Sequence, residues 1–260
     1  MKNKSDWDPQ HYLKFKNERT QPSIDLVGRI EPAIAPRCII DVGCGPGNSG
    51  QILIERWPHA EFTGLDNSPA MIEKAKADHP AQNWVLADAT TYAPGRKFDL
   101  IFSNAAIQWI PDHTRLFKTL FGWLSAGGTI AVQTPRFQNM AIGKIIEHIT
   151  GKGRWNKALG GCSDLFTYHN PNFYYDLLAG EVRRIDLWET DYFHILGSHL
   201  AVIEWIRGTA LMPYLDRLAD KADRQALEDE ILEEVKNQYP AQKDGKVLFP
   251  FKRLFFIGYK

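Results

Sequence analysis

The chain has 260 residues, enough for one large domain or two small ones. Hydrophobic residues make up 44% and charged residues 24%, the balance of an ordinary globular protein, which argues against disorder and fibrous repeats. Lys+Arg and Asp+Glu each total 31. With no basic surplus, a nucleic-acid partner is not expected, and any cationic site must be local.

No membrane span is expected either. The longest uncharged stretch, Thr119 to Pro135, is broken by Gly122, Ser125, Gly127 and Gly128 and falls short of the ~20 apolar residues a span needs. The N-terminus, MKNKSDWDPQ, lacks the apolar core of a signal peptide. The three cysteines, Cys38, Cys44 and Cys162, form no C-x-x-C pair. That fits a reducing cytoplasm better than a disulfide scaffold, and no metal site is expected.

Along the chain, Cys38 to Val42 reads as a buried strand, followed by glycines and a helix over Ser49 to Trp57. A second strand runs from Glu61 to Asp66, and a helix from Pro69 to Asp78 with proline at its first position. Strands at Asn83–Ala87, Phe98–Ser103 and Gly128–Gln133 follow, with a helix at Thr114–Leu124 that lines up Leu116, Leu120, Trp123 and Leu124. Alternating strands and helices imply a parallel sheet covered on both faces. Right-handed crossovers then bring every strand's C-terminal end to one edge, where ligands bind. After Pro135 the pattern predicts helices at Met140–Thr150, Pro171–Ala179, Ser198–Arg207 and Lys221–Gln238, and strands at Val182–Ile195 and Val247–Tyr259. In the last helix Leu227, Ile231 and Val235 recur at four-residue spacing between charges. No linker or repeat marks a boundary, so one α/β domain with a helical insertion among its last strands is expected.

The stretch most informative about chemistry is Asp41-Val42-Gly43-Cys44-Gly45-Pro46-Gly47-Asn48-Ser49-Gly50, directly after the first strand. Its glycines allow a sharp turn and close approach of backbone to a ligand, and the next helix offers free N–H groups and a positive dipole end. Gly45-x-Gly47-x-x-Gly50 also satisfies the dinucleotide fingerprint. Against a dinucleotide stands Asp41, which would repel a pyrophosphate but accept from an ammonium. Asp66, ending the second strand, can accept both hydroxyls of a ribose. Asp88-Ala89 follows the third strand, within reach of an adenine amino group, and Asn104 follows the fourth.

These features, with the blocks DVGCGPGNS, GLDNSPAMIEKA, ADAT, FDLIFSNAAIQWI and GGTIAVQTP in that order, resemble the class I S-adenosylmethionine-dependent methyltransferases. The resemblance implies a Rossmann-like α/β fold over 1–260, a mostly parallel sheet with helices on both faces. It further implies a cofactor-binding core at 38–135, acceptor-pocket insertions including a late strand at 136–245, and a final strand at 246–260. The implied cofactor residues are Tyr12, Arg19, Asp41, Gly43, Cys44, Gly45, Gly47, Asp66, Asn67, Met71, Asp88, Ala89, Asn104 and Ala105. Similarity to family members that esterify a small tricarboxylate extends through SDWDPQHYLKF, SNAAIQWIPDH, YYDLL and the late RLF.

A carboxylate acceptor is already ionised at neutral pH, so no general base is expected and rate rests on alignment in a water-poor site. A trianion does require buried cations. Arg253 is the main candidate, with Tyr174, Tyr175 and His194 as further donors and Trp109 lining the transfer site. Each has a plainer alternative: a surface salt bridge for Arg253, helix packing for Tyr174 and Tyr175, a core aromatic for Trp109, a neutral hydrogen-bonding imidazole for His194. Cys44 has no activating base and reads as a residue small enough to fit. Other small acids, phenols or carbon acceptors remain alternatives, as do a dinucleotide oxidoreductase and a noncatalytic sensor. A monomer or weak homo-oligomer is expected.

Overall fold

In the computed structural model, which describes residues 6–7, 15–162 and 165–260, strand β1 (Cys38–Val42) lies parallel to β2 (Glu61–Asp66) on one side and to β4 (Phe98–Asn104) on the other. Strand β3 (Asn83–Leu86) adds in parallel to β2, and β5 (Leu124–Pro135) in parallel to β4. Ile39, Ile40 and Val42 are buried on both faces of β1, as a strand covered by helices on each side requires. The full order is β3-β2-β1-β4-β5-β7-β6, with β6 at Arg184–Leu196 and β7 at Val247–Tyr259. The last two strands reverse direction in turn. Arg136 N–H donates to Lys252 O while Lys260 N–H donates to Gly128 O, so β7 runs antiparallel to β5. Arg183 N–H donates to Tyr259 O and Trp188 stacks on Phe255, so β6 runs antiparallel to β7.

The helices are α1 (Lys16–Arg29), α2 (Asn48–Arg56), α3 (Pro69–Asp78), α4 (His113–Trp123), α5 (Ala141–Thr150), α6 (Gly153–Leu159), α7 (Pro171–Ala179), α8 (His199–Arg207), α9 (Met212–Leu215) and α10 (Lys221–Gln238). Helix α1 was not expected from the sequence, because Pro22 lies inside it and its mean hydropathy is low. Yet Arg19, Ser23, Leu26, Val27 and Ile30 are all buried, a helical spacing that marks its inner face. Leu124, expected to close α4, instead opens β5, and helix α4 buries Leu116, Phe117, Leu120 and Trp123.

Two compact units result. The first takes residues 6–134, 167–189 and 254–260; the second takes 135–166 and 190–253. In the first, the core runs from Ile40, Ile101 and Ile130 through Phe117 and Leu120 to Tyr174, Leu178 and Phe256. In the second, α10 packs on α5 and α8 with Leu227, Ile231 and Val235 fully buried, as their spacing predicts. The charges between them are not all solvent-exposed: Glu228 is buried and takes Arg207 in two hydrogen bonds, Nε to Oε1 at 2.6 Å and Nη2 to Oε2 at 2.7 Å. The forked geometry is what makes such burial of a carboxylate tolerable.

Candidate functional site

The C-terminal ends of β1 to β4 carry the expected polar residues, and the loop after β1 is pinned to β2. Gly43 N–H and Cys44 N–H both donate to Leu65 O, at 2.7 and 3.0 Å. Gly43, Gly45 and Gly47 all hold positive φ, 75°, 54° and 96°. At Gly43 the requirement is also steric: a Cβ there would lie 2.1 Å from the Ala106 Cβ. A Cβ on Gly45 would meet nothing within 4 Å, so that part of the loop faces open space.

Asp66 accepts Gly45 N–H through Oδ2 and Ser68 N–H through Oδ1, both at 2.9 Å, and thereby ties the loop to the start of α3. Burial pushes its carboxyl above the usual range; the backbone donors of Ser68, Gly45 and Asn67 oppose the shift and nearby Asp6 adds to it. Ser68 caps α3, its Oγ accepting from Met71 N–H. Asp41 is fully buried. Its Oδ2 accepts the Ser49 hydroxyl at 2.6 Å, whereas Oδ1 has no partner among the described residues. Burial raises its pKa to about 7, against the Ser49 hydrogen bond and with help from Asp66. Cys44 is buried beside these carboxylates, and burial together with Asp41 and Asp66 pushes its thiol well up, so it is no nucleophile.

Beyond β4, Asn104 Oδ1 is another buried acceptor without a partner among the described residues, and Ala105 holds a positive φ of 53°. The turn is braced by Ala105 N–H donating to Gln133 O and by Gln108 Nε2 donating to Ala105 O. Ser103 Oγ donates to Val42 O at 2.7 Å, tying β4 to β1 directly beneath the loop. Trp109 stands half-buried in the short turn after β4, edge-on to Trp7. Asp88 is exposed and its Oδ1 accepts from the N–H and hydroxyl of Thr90. Asn67 is exposed, Met71 and Arg19 are buried, and Ala89 belongs to the hydrophobic core. Tyr12 lies outside the described residues.

Of the acceptor candidates, Tyr174 is withdrawn by its surroundings. It is buried, stacked on Phe256 with centroids 4.8 Å apart, and its hydroxyl is engaged with His113 Nδ1 at 2.9 Å. Burial lowers the His113 pKa, so a neutral imidazole and a phenol make a satisfied core pair. Tyr175, one residue on, is exposed at the surface of the first unit. Arg253 is no surface cation: it is 4% exposed, with its guanidinium 4.7 Å from the Phe251 ring centroid. His194 is also buried, 4.4 Å from the Trp205 ring and 5.8 Å from that of Phe251, within the same second unit. Sequence reasoning missed buried Arg136, as well as Ser49, Ser68 and Ser103. Ser68 was legible as a serine directly before a helix-starting proline; Ser103 pairs with Val42, 61 residues away, and Ser49 with Asp41 across the glycine loop, neither marked by local spacing.

A family model described as a methyltransferase domain matches residues 39–128. Among solved structures, the YcgJ protein from Bacillus subtilis aligns with a TM-score of 0.61 at 14% identity, covering 92% of this chain and 98% of that one. A Haemonchus contortus phosphoethanolamine N-methyltransferase 2 in complex with S-adenosyl-L-methionine gives 0.60 at 15% identity, covering 97% and 56%. The sheet and its covering helices are those of a Rossmann-like class I methyltransferase fold. Among curated proteins, a trans-aconitate 2-methyltransferase of Methylobacterium radiotolerans is 40% identical over 98% of this chain and 99% of its own. One from an Azoarcus species is 39% identical over 97% and 98%. The chain belongs to the trans-aconitate 2-methyltransferase family.

Proposed function

We propose that the chain transfers a methyl group from S-adenosylmethionine to one carboxylate of trans-aconitate, giving the monomethyl ester. The residues present fit the cofactor. Among the described residues, Asp41 Oδ1 and Asn104 Oδ1 are buried acceptors without partners, and Asn48 Nδ2 is a buried donor without one. Asp41 suits the amino group of the methionine moiety, Asp66 the ribose hydroxyls, and the open flank of Gly45 the close approach of the nucleoside. When bound, S-adenosylmethionine supplies a sulfonium-activated methyl group for in-line attack by an oxygen nucleophile.

Replacing Asp66 by alanine removes both the ribose acceptor and the tether that holds Gly45. The Kd for S-adenosylhomocysteine is expected to rise about 5- to 100-fold, read by titration calorimetry; an unchanged Kd refutes the assignment.

The observation that carries the acceptor reading is the burial of Arg253 in a chain whose 31 basic and 31 acidic residues balance, so that a cationic site must be local. A guanidinium grips a spectator carboxylate with two parallel hydrogen bonds, leaving the attacking carboxylate nucleophilic. Arg136 is a second buried cation in the same unit. No side chain needs to remove a proton, since the acceptor is ionised at neutral pH. Half-buried Trp109, in the turn after β4, is the aromatic assigned to limit water at the methyl group. Incubation with labelled S-adenosylmethionine and trans-aconitate should yield a base-labile methyl ester. Arg253→Ala should raise the KM for the tricarboxylate about 10- to 100-fold with cofactor affinity unchanged. Folded protein that forms no ester ends this reading, and a panel of other small acids, phenols and carbon acceptors tests its specificity by kcat/KM. The proposed setting is the cytoplasm, consistent with three free cysteines, and the proposed state a monomer or weak homo-oligomer without nucleic-acid partners. No helix among the described residues is long and apolar enough to cross a membrane.

A further inference from the structure

Asp6 and Trp7 are neighbours in sequence but hold elements two strands apart. Asp6 Oδ2 accepts Ala70 N–H at 2.8 Å, and its Oδ1 accepts the Ser68 hydroxyl and the Trp7 N–H. Ser68 and Ala70 follow the end of β2. The Trp7 ring stands edge-on to Trp109, 5.0 Å between centroids and 86° between planes, and Trp109 follows the end of β4. The sheet order puts β1 between β2 and β4. Adjacent strands are about 4.8 Å apart, so the two anchor points are separated by roughly 10 Å. Asp6 also lies close enough to Asp66 to act on its carboxyl, so the two anchors flank the C-terminal end of β1, where the glycine loop begins.

We propose that Asp6 and Trp7 form a clasp across the cofactor cradle that sets how long the nucleoside stays bound. This rests on the cofactor reading above. Both anchor points belong to the binding edge itself: Asp6 fixes the start of α3, two residues beyond Asp66, and Trp7 fixes the ring that lines the transfer site. Leaving the cradle therefore requires the Trp7–Trp109 contact, the hydrogen bonds of Asp6, or both to open. Asp6 is exposed and Trp7 half-buried, so the clasp sits where local opening is inexpensive compared with unfolding. Trp7 acts here as a positioning residue, through Trp109, and Asp6 through Ser68 and Ala70.

Stopped-flow dissociation of S-adenosylhomocysteine from the full chain tests this, together with calorimetric Kd and thermal unfolding without ligand. Trp7→Ala and Asp6→Asn should each raise the dissociation rate about 3- to 10-fold. The ligand-free melting temperature should stay within about 2 °C of the parent. Trp7→Phe should restore most of the residence time, because an edge-to-face ring contact survives. Dissociation rates equal to the parent's in both variants overturn the clasp. So does faster dissociation accompanied by a fallen ligand-free melting temperature that Trp7→Phe leaves unrescued, since that marks a purely structural staple. A parent chain that binds no S-adenosylhomocysteine overturns the cofactor reading and the clasp together, and so is distinct from a parent that binds while its variants are indifferent.

Discussion

Gly43→Ala is expected to lose cofactor binding by a factor of 100 or more, roughly the effect of 3 kcal/mol, and to lower the melting temperature as well. Two costs coincide at this position. An alanine at φ 75° sits in the left-handed region, disfavoured by about 1–2 kcal/mol. Its Cβ would also lie 2.1 Å from the Ala106 Cβ, a contact that one side must relieve. Neither side moves cheaply. The loop is held by Gly43 N–H and Cys44 N–H on Leu65 O, and the turn after β4 already carries Ala105 at φ 53° with its N–H on Gln133 O. Overpacking of this kind typically costs a further 1–3 kcal/mol. Because Asp41 precedes the loop and Asn104 precedes the turn, either displacement spoils a proposed cofactor contact. Gly45→Ala provides the contrast: φ is 54° but nothing lies within 4 Å of the added carbon. Its melting temperature should fall much less, while cofactor affinity still drops because the methyl group fills the open flank. Calorimetric titration with S-adenosylhomocysteine alongside thermal unfolding separates the two variants. Normal affinity in Gly43→Ala would show that the loop does not carry the nucleoside.

The second large effect is a pH dependence with opposite signs for stability and for binding. Asp41 has a folded-state pKa of about 7 against an ordinary 3.8. Between those values the folded chain keeps a proton that the unfolded chain has lost. Stability therefore falls as pH rises through that window and is flat on either side, and the loss attributable to this one group is on the order of a few kcal/mol. Binding runs the other way. An ammonium requires the carboxylate to be ionised, so affinity for S-adenosylhomocysteine should improve by up to tenfold per pH unit from about pH 5 and level off near 7, with proton release on binding. Asp41→Asn should flatten both profiles. Denaturant unfolding of the ligand-free chain and calorimetry in two buffers at pH 5.5, 6.5 and 8 measure the two slopes. Affinity that is independent of pH in the parent chain would remove Asp41 from the amino-group role.

Ser49 partly opposes the burial that raises the Asp41 carboxyl pKa. Its hydroxyl occupies one carboxylate oxygen at 2.6 Å and leaves the other available. The glycines and Asp41 are readable from spacing alone, because a strand followed by glycines and a helix leaves a contiguous record. The Ser49 contact spans eight residues around that loop, and nothing in the local pattern distinguishes it from an ordinary helix-start serine. Asp66 was similarly legible as the end of β2, yet its grip on Gly45 and Ser68 was not.

What the sequence determined by itself was the parallel core from Cys38 to Gln133, the loop after β1, and the succession of polar residues at the strand ends. Each depends on short-range alternation, helix starts and glycines, whose physical effects act within a few residues. The helix from Lys16 to Arg29 lay beyond such reading because Pro22 breaks the local propensity, and burial of Leu26, Val27 and Ile30 stabilises it regardless. Only the tertiary structure decided that Tyr174 pairs with His113, 61 residues away, that Arg253 is buried, and that β7 and β6 reverse direction. It likewise decided that Trp7 meets Trp109. Those outcomes follow from which distant surfaces exclude water together, and burial of that kind leaves no signature in the spacing of neighbouring residues.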